Sequence, residues 1–212
     1  MRITVFGATG KIGRLVTEQL LAAGYEVTVL VRTPDKLTID HPGLTVRIGQ
    51  LSDAAAVRDV VGGSDAVISA LGTSLRRGAR GTPLTDGTRS IVAAMQDTGV
   101  RRFIGLATPS VTDPRDGPTF KAKLLPLMAG VSFPNALVEL RGMTAAVTDS
   151  ELDWTLARIT NPTDRPAKGT VRAGFLGRDA VGCTMTRADI AAFLVGQLTD
   201  TTYLRAAPSI SN

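Results

Sequence analysis

The residues best suited to chemistry stand near the start of the chain. Gly7-Ala8-Thr9-Gly10-Lys11-Ile12-Gly13 has the spacing Gly-x-x-Gly-x-x-Gly and separates an alternating apolar run from an amphipathic one. Glycines so spaced let a backbone approach a pyrophosphate with no side chain in the way. A helix starting there turns its free N–H groups and positive dipole end toward the phosphates. The last glycine allows helix and strand to pack closely. At a first strand–helix junction the pattern reads as a dinucleotide cradle, the bare alternative being a tight structural turn. The longer Walker spacing, closing on Gly-Lys and then Ser or Thr, is absent, which disfavours an NTPase. Gly13 is followed 19 positions later by Arg32. A site that grips a ribose 2′-hydroxyl commonly has Asp or Glu there, whereas a cation accepts a 2′-phosphate. Thr33 adds a hydrogen-bond donor and Lys36 more charge. The expected cofactor is therefore NADP, with NADPH preferred over NADH. The plainer alternative for Arg32 is a solvated cation at a strand end.

Further candidates fall where later strands should end. Gly49-Gln50-Leu51-Ser52-Asp53 follows the third expected strand and Ser69-Ala70-Leu71-Gly72 closes the fourth. Asp53 suits either an adenine amine or the start of a helix. The small residues Ala70 and Gly72, flanking Leu71, would let a ribose lie close. Arg76, Arg77 and Arg80 make a basic loop on the same rim. It is either a solvated charge run or a clamp on an anionic substrate or the cofactor phosphates. After the fifth strand come Thr108 and Ser110, hydroxyls that either steady a turn or face the nicotinamide and substrate. Ser110 is the candidate catalytic group. Trp154 reads as core packing rather than a substrate platform.

These residues need elements to hold them, and apolar periodicity supplies the list. Strands are expected at 2–6, 26–31, 44–48, 65–70, 102–107 and 154–158, with further ones at 171–175 and 203–207. Helices are expected at 11–23, closed by Gly24, and at 53–60, capped by Ser52. A third runs from Thr82-Pro83 to about 98, stopped by Gly99. Another opens at Pro134, placing Leu137, Leu140, Thr144 and Val147 on one face. The last follows Thr186-Arg187-Ala188-Asp189, which resembles a capping box. Between them, 108–135 holds five prolines and breaks the rhythm, with room for one short helix at 122–128. Strand and helix alternate five times or more, which predicts a Rossmann-like α/β fold. It would be a doubly wound parallel sheet in a three-layer αβα sandwich, with the irregular segment 108–135 on the substrate side. One domain, 1–212, is expected. The irregular segment either caps the core or walls the substrate site as a lid.

Composition narrows the function classes. A single cysteine, Cys183, excludes an internal disulfide, and a single histidine, His41, excludes a zinc site built from His and Cys. His41 lies in a His-Pro-Gly turn, which also speaks against a Ser-His-Asp hydrolase. There is no apolar run near the ~20 residues of a membrane span and no signal-peptide layout, so a soluble, cytoplasmic protein with no membrane partner is expected. Lys and Arg total 24 against 19 acidic residues, a net charge of +5. That permits an anionic partner. With only 4% aromatic residues there is little for bases to stack on, so a small molecule is expected rather than a nucleic acid. The chain is expected to act as a monomer or homodimer.

An ordered series of motifs points further. Beside the glycine run stand Val-Arg at 31–32, Asp-Ala-Val-Ile-Ser-Ala-Leu-Gly at 65–72 and Gly-Val-Arg-Arg-Phe-Ile at 99–104. Leu-Asp-Trp-Thr-Leu-Ala-Arg at 152–158 and Thr-Arg-Ala-Asp-Ile-Ala at 186–191 complete it. Across essentially its whole length the chain resembles the atypical short-chain dehydrogenase/reductases, in their NAD(P)H-binding, NmrA-like branch, and is similar to flavin reductase/biliverdin-IXβ-reductase-like proteins. The resemblance implies cofactor contacts from the glycine loop, Arg32, Leu51, Ala70 to Gly72, Thr108, and Arg158 with Ile159. The Tyr-x-x-x-Lys pair of ordinary short-chain dehydrogenases has no counterpart, because Val29 and Ala207 stand four residues after the two tyrosines. The usual Gly-Asp after strand three is Gly49-Gln50, and the usual proline after the arginine of strand six is Ile159. Alcohol–ketone chemistry is thereby disfavoured. A flavin stacked on a nicotinamide needs only proximity and orientation to take a hydride, with solvent supplying the proton. The expected activity is an NADPH-dependent reductase of a flat conjugated acceptor. The alternatives are a non-catalytic redox sensor and a cofactor-dependent epimerase or dehydratase.

Overall fold

A computed structural model describes residues 1–72, 81–118 and 134–212. The basic loop of Arg76, Arg77 and Arg80, the short helix expected at 122–128 and most of the proposed lid lie outside the described residues.

The elements in chain order are β1 (Arg2–Phe6), α1 (Lys11–Ala22), β2 (Glu26–Val31), β3 (Leu44–Ile48), α2 (Ala54–Val61) and β4 (Ala66–Ser69). Then come α3 (Pro83–Thr98), β5 (Arg102–Ala107), α4 (Pro134–Thr148), β6 (Asp153–Arg158) and β7 (Asn161–Thr163). The chain continues with β8 (Arg172–Gly174), β9 (Thr184–Thr186), α5 (Arg187–Gly196) and β10 (Ser209–Ser211). The main sheet has the order β3-β2-β1-β4-β5-β6-β10-β8 and is parallel except where β8 meets β10. Strand order reverses between β1 and β4, which makes the crevice above their carboxyl ends the place where such a sheet takes a ligand. The expected doubly wound fold is what the chain adopts.

Period-2 alternation sends each strand's side chains to two separate cores. Ile3, Val5, Ile68 and Ile104 join Val16 and Leu20 of α1 and Ile190 and Leu194 of α5 on one face. Phe6, Val67, Phe103 and Trp154 join Val57 of α2, Ile91 and Met95 of α3 and Val147 of α4 on the other. Trp154 is thus core, as read.

Caps behave mostly as their residue types dictate. Gly24 and Gly99 take φ of +79° and +76°, a region that side chains disfavour, and end α1 and α3. Thr186 accepts from the Asp189 N–H and its hydroxyl donates to Asp189, but the Thr186 N–H goes to Asn212 Oδ1, so Thr186 caps α5 without the reciprocal bond of a full capping box. Two local expectations are corrected, the cap of α2 and the strand at 203–207. The cap of α2 is Asp53, not Ser52: its Oδ1 accepts the N–H groups of Ala55 and Ala56. Thr82 is the N-cap of α3 with Pro83 opening the helix, as expected, although its side chain makes no capping bond and the Leu84 N–H is met by Glu139 of α4 at 2.6 Å. The strand expected at 203–207 is reduced to a single bridge between Ala206 and Thr155, and β10 forms later. Arg205 has φ +49°, which turns the chain out of an extended path there. The three-residue strands β7 and β9 pair with each other in a separate small sheet that periodicity did not reveal.

Candidate functional site

β1 delivers the chain to Gly7, whose φ is +82°. A Cβ on Gly7 would lie 2.9 Å from the Ala70 carbonyl, and one on Gly13 only 2.1 Å from the Gly7 oxygen. Both positions therefore have to be glycine: the loop is folded against β4 on one side and onto itself on the other. Gly10 is the N-cap of α1, and the first turn of that helix carries no acidic residue. Its N–H groups are left for an anion or water. Ala8 is buried and Ile12 packs against the core, so these two anchor the loop, while Thr9, Gly10 and Lys11 are exposed.

A groove of about 580 Å³ opens beside this loop, within the usual range for a ligand site. Gly7 and Thr9 form one wall, Val31 and Arg32 at the end of β2 another, and Gly49 to Ser52 after β3 a third. Leu71, beyond β4, closes the inner side. Arg32 and Thr33 are exposed, and Arg32 has no ion-pair partner among the described residues. A guanidinium with no ion-pair partner among the described residues thus stands on the rim of the groove that the glycine loop borders.

The fourth wall was missed at the sequence level. Leu84, Asp86, Gly87 and Ser90, from the first two turns of α3, line the groove. A signal was present: Gly87 lies inside a helical pattern, where glycine costs stability without a reason. The reason is Leu51, whose side chain would meet a Cβ at 2.8 Å. Asp53 lies just beyond this wall, with its carboxylate capping α2.

The second half of the candidate site lies past β5. Thr108 is half-buried and Ser110 buried, and their hydroxyls are 2.5 Å apart. The Ile159 N–H donates to Ala107 O at 3.0 Å, which brings the end of β6 beside them. Ala70 and Gly72 lie between the two halves along the chain, Ala70 half-buried and Gly72 exposed.

Arg158 requires a correction. The resemblance implies a cofactor contact, but its side chain has no exposure and forms a two-pronged pair with Asp116, both bonds 2.6 Å. A guanidinium sealed in this way cannot reach a ligand in the groove. Burial acts to raise the Asp116 carboxyl, but the hydrogen bonds from Arg158 and from the Asp113 and Leu176 N–H groups outweigh it and hold the group below its ordinary value.

Lys11 carries an exposed pair with Asp164, which also binds Arg187 at 2.5 Å. The Lys11 hydrogen bond and then Arg187 hold the Asp164 carboxyl below its ordinary value. Among the described residues no cluster of His, Cys, Asp and Glu could hold a metal, and no helix is long and apolar enough to cross a membrane.

Residues 7–201 match the model of a family described as NAD(P)H-binding. The chain belongs to that family. A (4-alkanoyl-5-oxo-2,5-dihydrofuran-3-yl)methyl phosphate reductase from Streptomyces griseus is 31% identical over 218 residues, covering 99% of this chain and 67% of its own. An NADP complex of a short-chain dehydrogenase/reductase from Veillonella parvula superposes with a TM-score of 0.77 at 20% identity, over 100% of this chain and 94% of that one. An anaerobillin reductase from Escherichia coli O157:H7 gives 0.76 at 21% identity, over 100% and 97%. The two structures share the fold. The groove fits a dinucleotide on its own evidence, through a loop with no room for a Cβ at Gly7 or Gly13 and a helix start with no acidic residue.

Proposed function

We propose that the protein is an NADPH-dependent reductase that passes a hydride to a flat conjugated acceptor, with a flavin as the model substrate. The observation that carries this reading is Arg32, without an ion-pair partner among the described residues, on the rim of the switch-point groove opposite the glycine loop. In this reading Gly7 to Gly13 hold the pyrophosphate, Arg32 and Thr33 the 2′-phosphate, and Leu51, Ala70, Leu71 and Gly72 the adenosine half. Thr108, Ser110 and Ile159 border the nicotinamide. The cofactor, when bound, supplies the hydride and leaves as NADP⁺, and the acceptor takes one further proton from solvent.

The chain's own residues then have to orient and exclude water rather than act as a nucleophile. A Thr108–Ser110 hydroxyl pair can hold an acceptor carbonyl or the nicotinamide amide by hydrogen bonding. Ser110 is the residue assigned that contact with the acceptor. The name of the Streptomyces relative describes a ring whose C=C bond is conjugated to two carbonyls and which carries a phosphate. That supports a conjugated acceptor with an anionic tail.

The test is a turnover assay following NADPH loss with FMN, run beside titrations of NADPH and NADP⁺. Acceptor-dependent consumption supports the reductase. Tight binding of both forms with no consumption by FMN or other flat acceptors favours the sensor alternative and overturns it.

A further inference from the structure

The Arg158–Asp116 pair asks for an explanation that the sheet does not provide. Arg158 ends β6 fully buried, and Asp116 is 7% exposed. An apolar residue would complete β6 as well, and exchanging a buried ion pair for apolar residues is often neutral or stabilising. What the charged pair adds is directionality. Arg158 Nη1 also donates to Val111 O at 3.2 Å, and the Val111 N–H closes a turn onto Thr108 O at 3.0 Å. Asp116 accepts the Leu176 and Asp113 N–H groups, each at 2.9 Å. Asp113, itself buried, accepts the Ala207 N–H at 2.8 Å. Gly117 donates to Leu176 O at 2.7 Å, and a Cβ there would lie 2.7 Å from Gly177 O. The whole of 108–118 is thus pinned from β6, from the turn after β8 and from the approach to β10.

We propose that the buried Arg158–Asp116 pair positions the Thr108–Ser110 hydroxyls, fixing the loop after β5 in one register against β6 so that these hydroxyls meet the nicotinamide. Arg158 is then a positioning residue, and the reason for its burial is the carbonyl of Val111 three residues past Thr108. The proposal rests on the reductase reading given above.

The experiment uses the full chain, NADPH and FMN. The double variant Arg158→Met/Asp116→Asn removes both charges at nearly the same volume and keeps one oxygen that can accept a backbone N–H there, so it should fold. Its NADPH Kd should stay within threefold of the unaltered protein. Its kcat should fall at least tenfold. Arg158→Lys keeps the charge but cannot hold Val111 and both carboxylate oxygens at once, so its kcat should lie between. A second readout needs no turnover: the emission of bound NADPH, which reports the surroundings of the nicotinamide, should shift in the double variant. A folded double variant equal to the unaltered protein in kcat and emission overturns the proposal. If the double variant does not fold, Arg158→Lys decides, and full kcat and emission there overturn it. If the unaltered protein consumes no NADPH with any flat acceptor, the reductase reading fails, and the emission comparison alone judges the pair by the same criterion.

Discussion

Replacing Arg32 with alanine should remove the preference for NADPH and leave NADH affinity nearly untouched. Arg32 is exposed at the end of β2 and has no ion-pair partner among the described residues, so its charge is free to meet a phosphate. A hydrogen bond to a charged group contributes about 1.5–3 kcal/mol, and solvent around an exposed guanidinium places it at the low end. Since ~1.4 kcal/mol is a factor of ten, NADPH should bind at least tenfold more tightly than NADH. In Arg32→Ala the two affinities should agree within about threefold, roughly 0.65 kcal/mol. Arg32→Lys should retain part of the preference, because an ammonium keeps the charge but not the planar fork. Raising the salt concentration should narrow the gap in the unaltered protein and not in Arg32→Ala. Calorimetric titration of both cofactors at two ionic strengths measures all of this. Equal affinities in the unaltered protein, or an unchanged ratio in Arg32→Ala, would refute the assignment.

Gly10→Val should abolish NADPH binding in a folded protein, since Gly10 has an ordinary φ of −82° and a Cβ there comes no closer than 3.2 Å to Gly7 O. Circular dichroism and a binding titration on the same sample check it. Gly13→Ala should instead destabilise the fold by about 1–3 kcal/mol, because its Cβ would overlap the Gly7 backbone; denaturant unfolding reads this directly. Ser110→Ala should lower kcat with FMN while leaving the NADPH Kd within threefold, and an unchanged kcat removes Ser110 from the site. Acid should unfold the protein partly through Asp116 and Asp189. Burial raises the Asp189 carboxyl, but hydrogen bonds from Thr186, Lys168, Gly169 and Asn212 outweigh it, so both groups sit below the ordinary 3.8. Their contribution is complete above that value and drains away as pH falls through the lower folded values. Unfolding midpoints between pH 5 and pH 2 should therefore slope downward, less steeply in Asp189→Asn.

The sheet and the glycine-loop side of the groove were legible because they rest on short-range chemistry. Gly7, Gly13, Gly24 and Gly99 are required by their backbone geometry, and Arg32 is placed simply by ending a β-branched strand. The α3 wall was harder, since it depends on how α3 packs against the distant segment after β3, and only Gly87, pressed against Leu51, hinted at it. The role of Arg158 was hidden for a different reason. Its partner, Asp116, lies in a proline-rich stretch with no periodicity, 42 positions away. Nothing local distinguishes an arginine aimed at a groove from one aimed at a buried carboxylate. The strand misplaced at 203–207 failed on a single backbone angle at Arg205, which the β-compatible sequence did not announce.

The position of β10 has a consequence for how the protein is made. Residues 209–211 fill the slot between β6 and β8, with Ser209 opposite both Arg158 and Gly174. Until they are synthesised, β8 has no partner in the sheet and β6 presents an open edge. That edge can recruit another nascent chain, and the pairing that closes it is long-range and so slow to form. β10 follows every other described strand in the chain and is also the one against which Arg158 lies. The switch-point groove, built from β1 through α3, can therefore form early in synthesis, whereas the half that would meet an acceptor is completed only when the sheet closes. Cofactor present during synthesis should favour the first step and do little for the second.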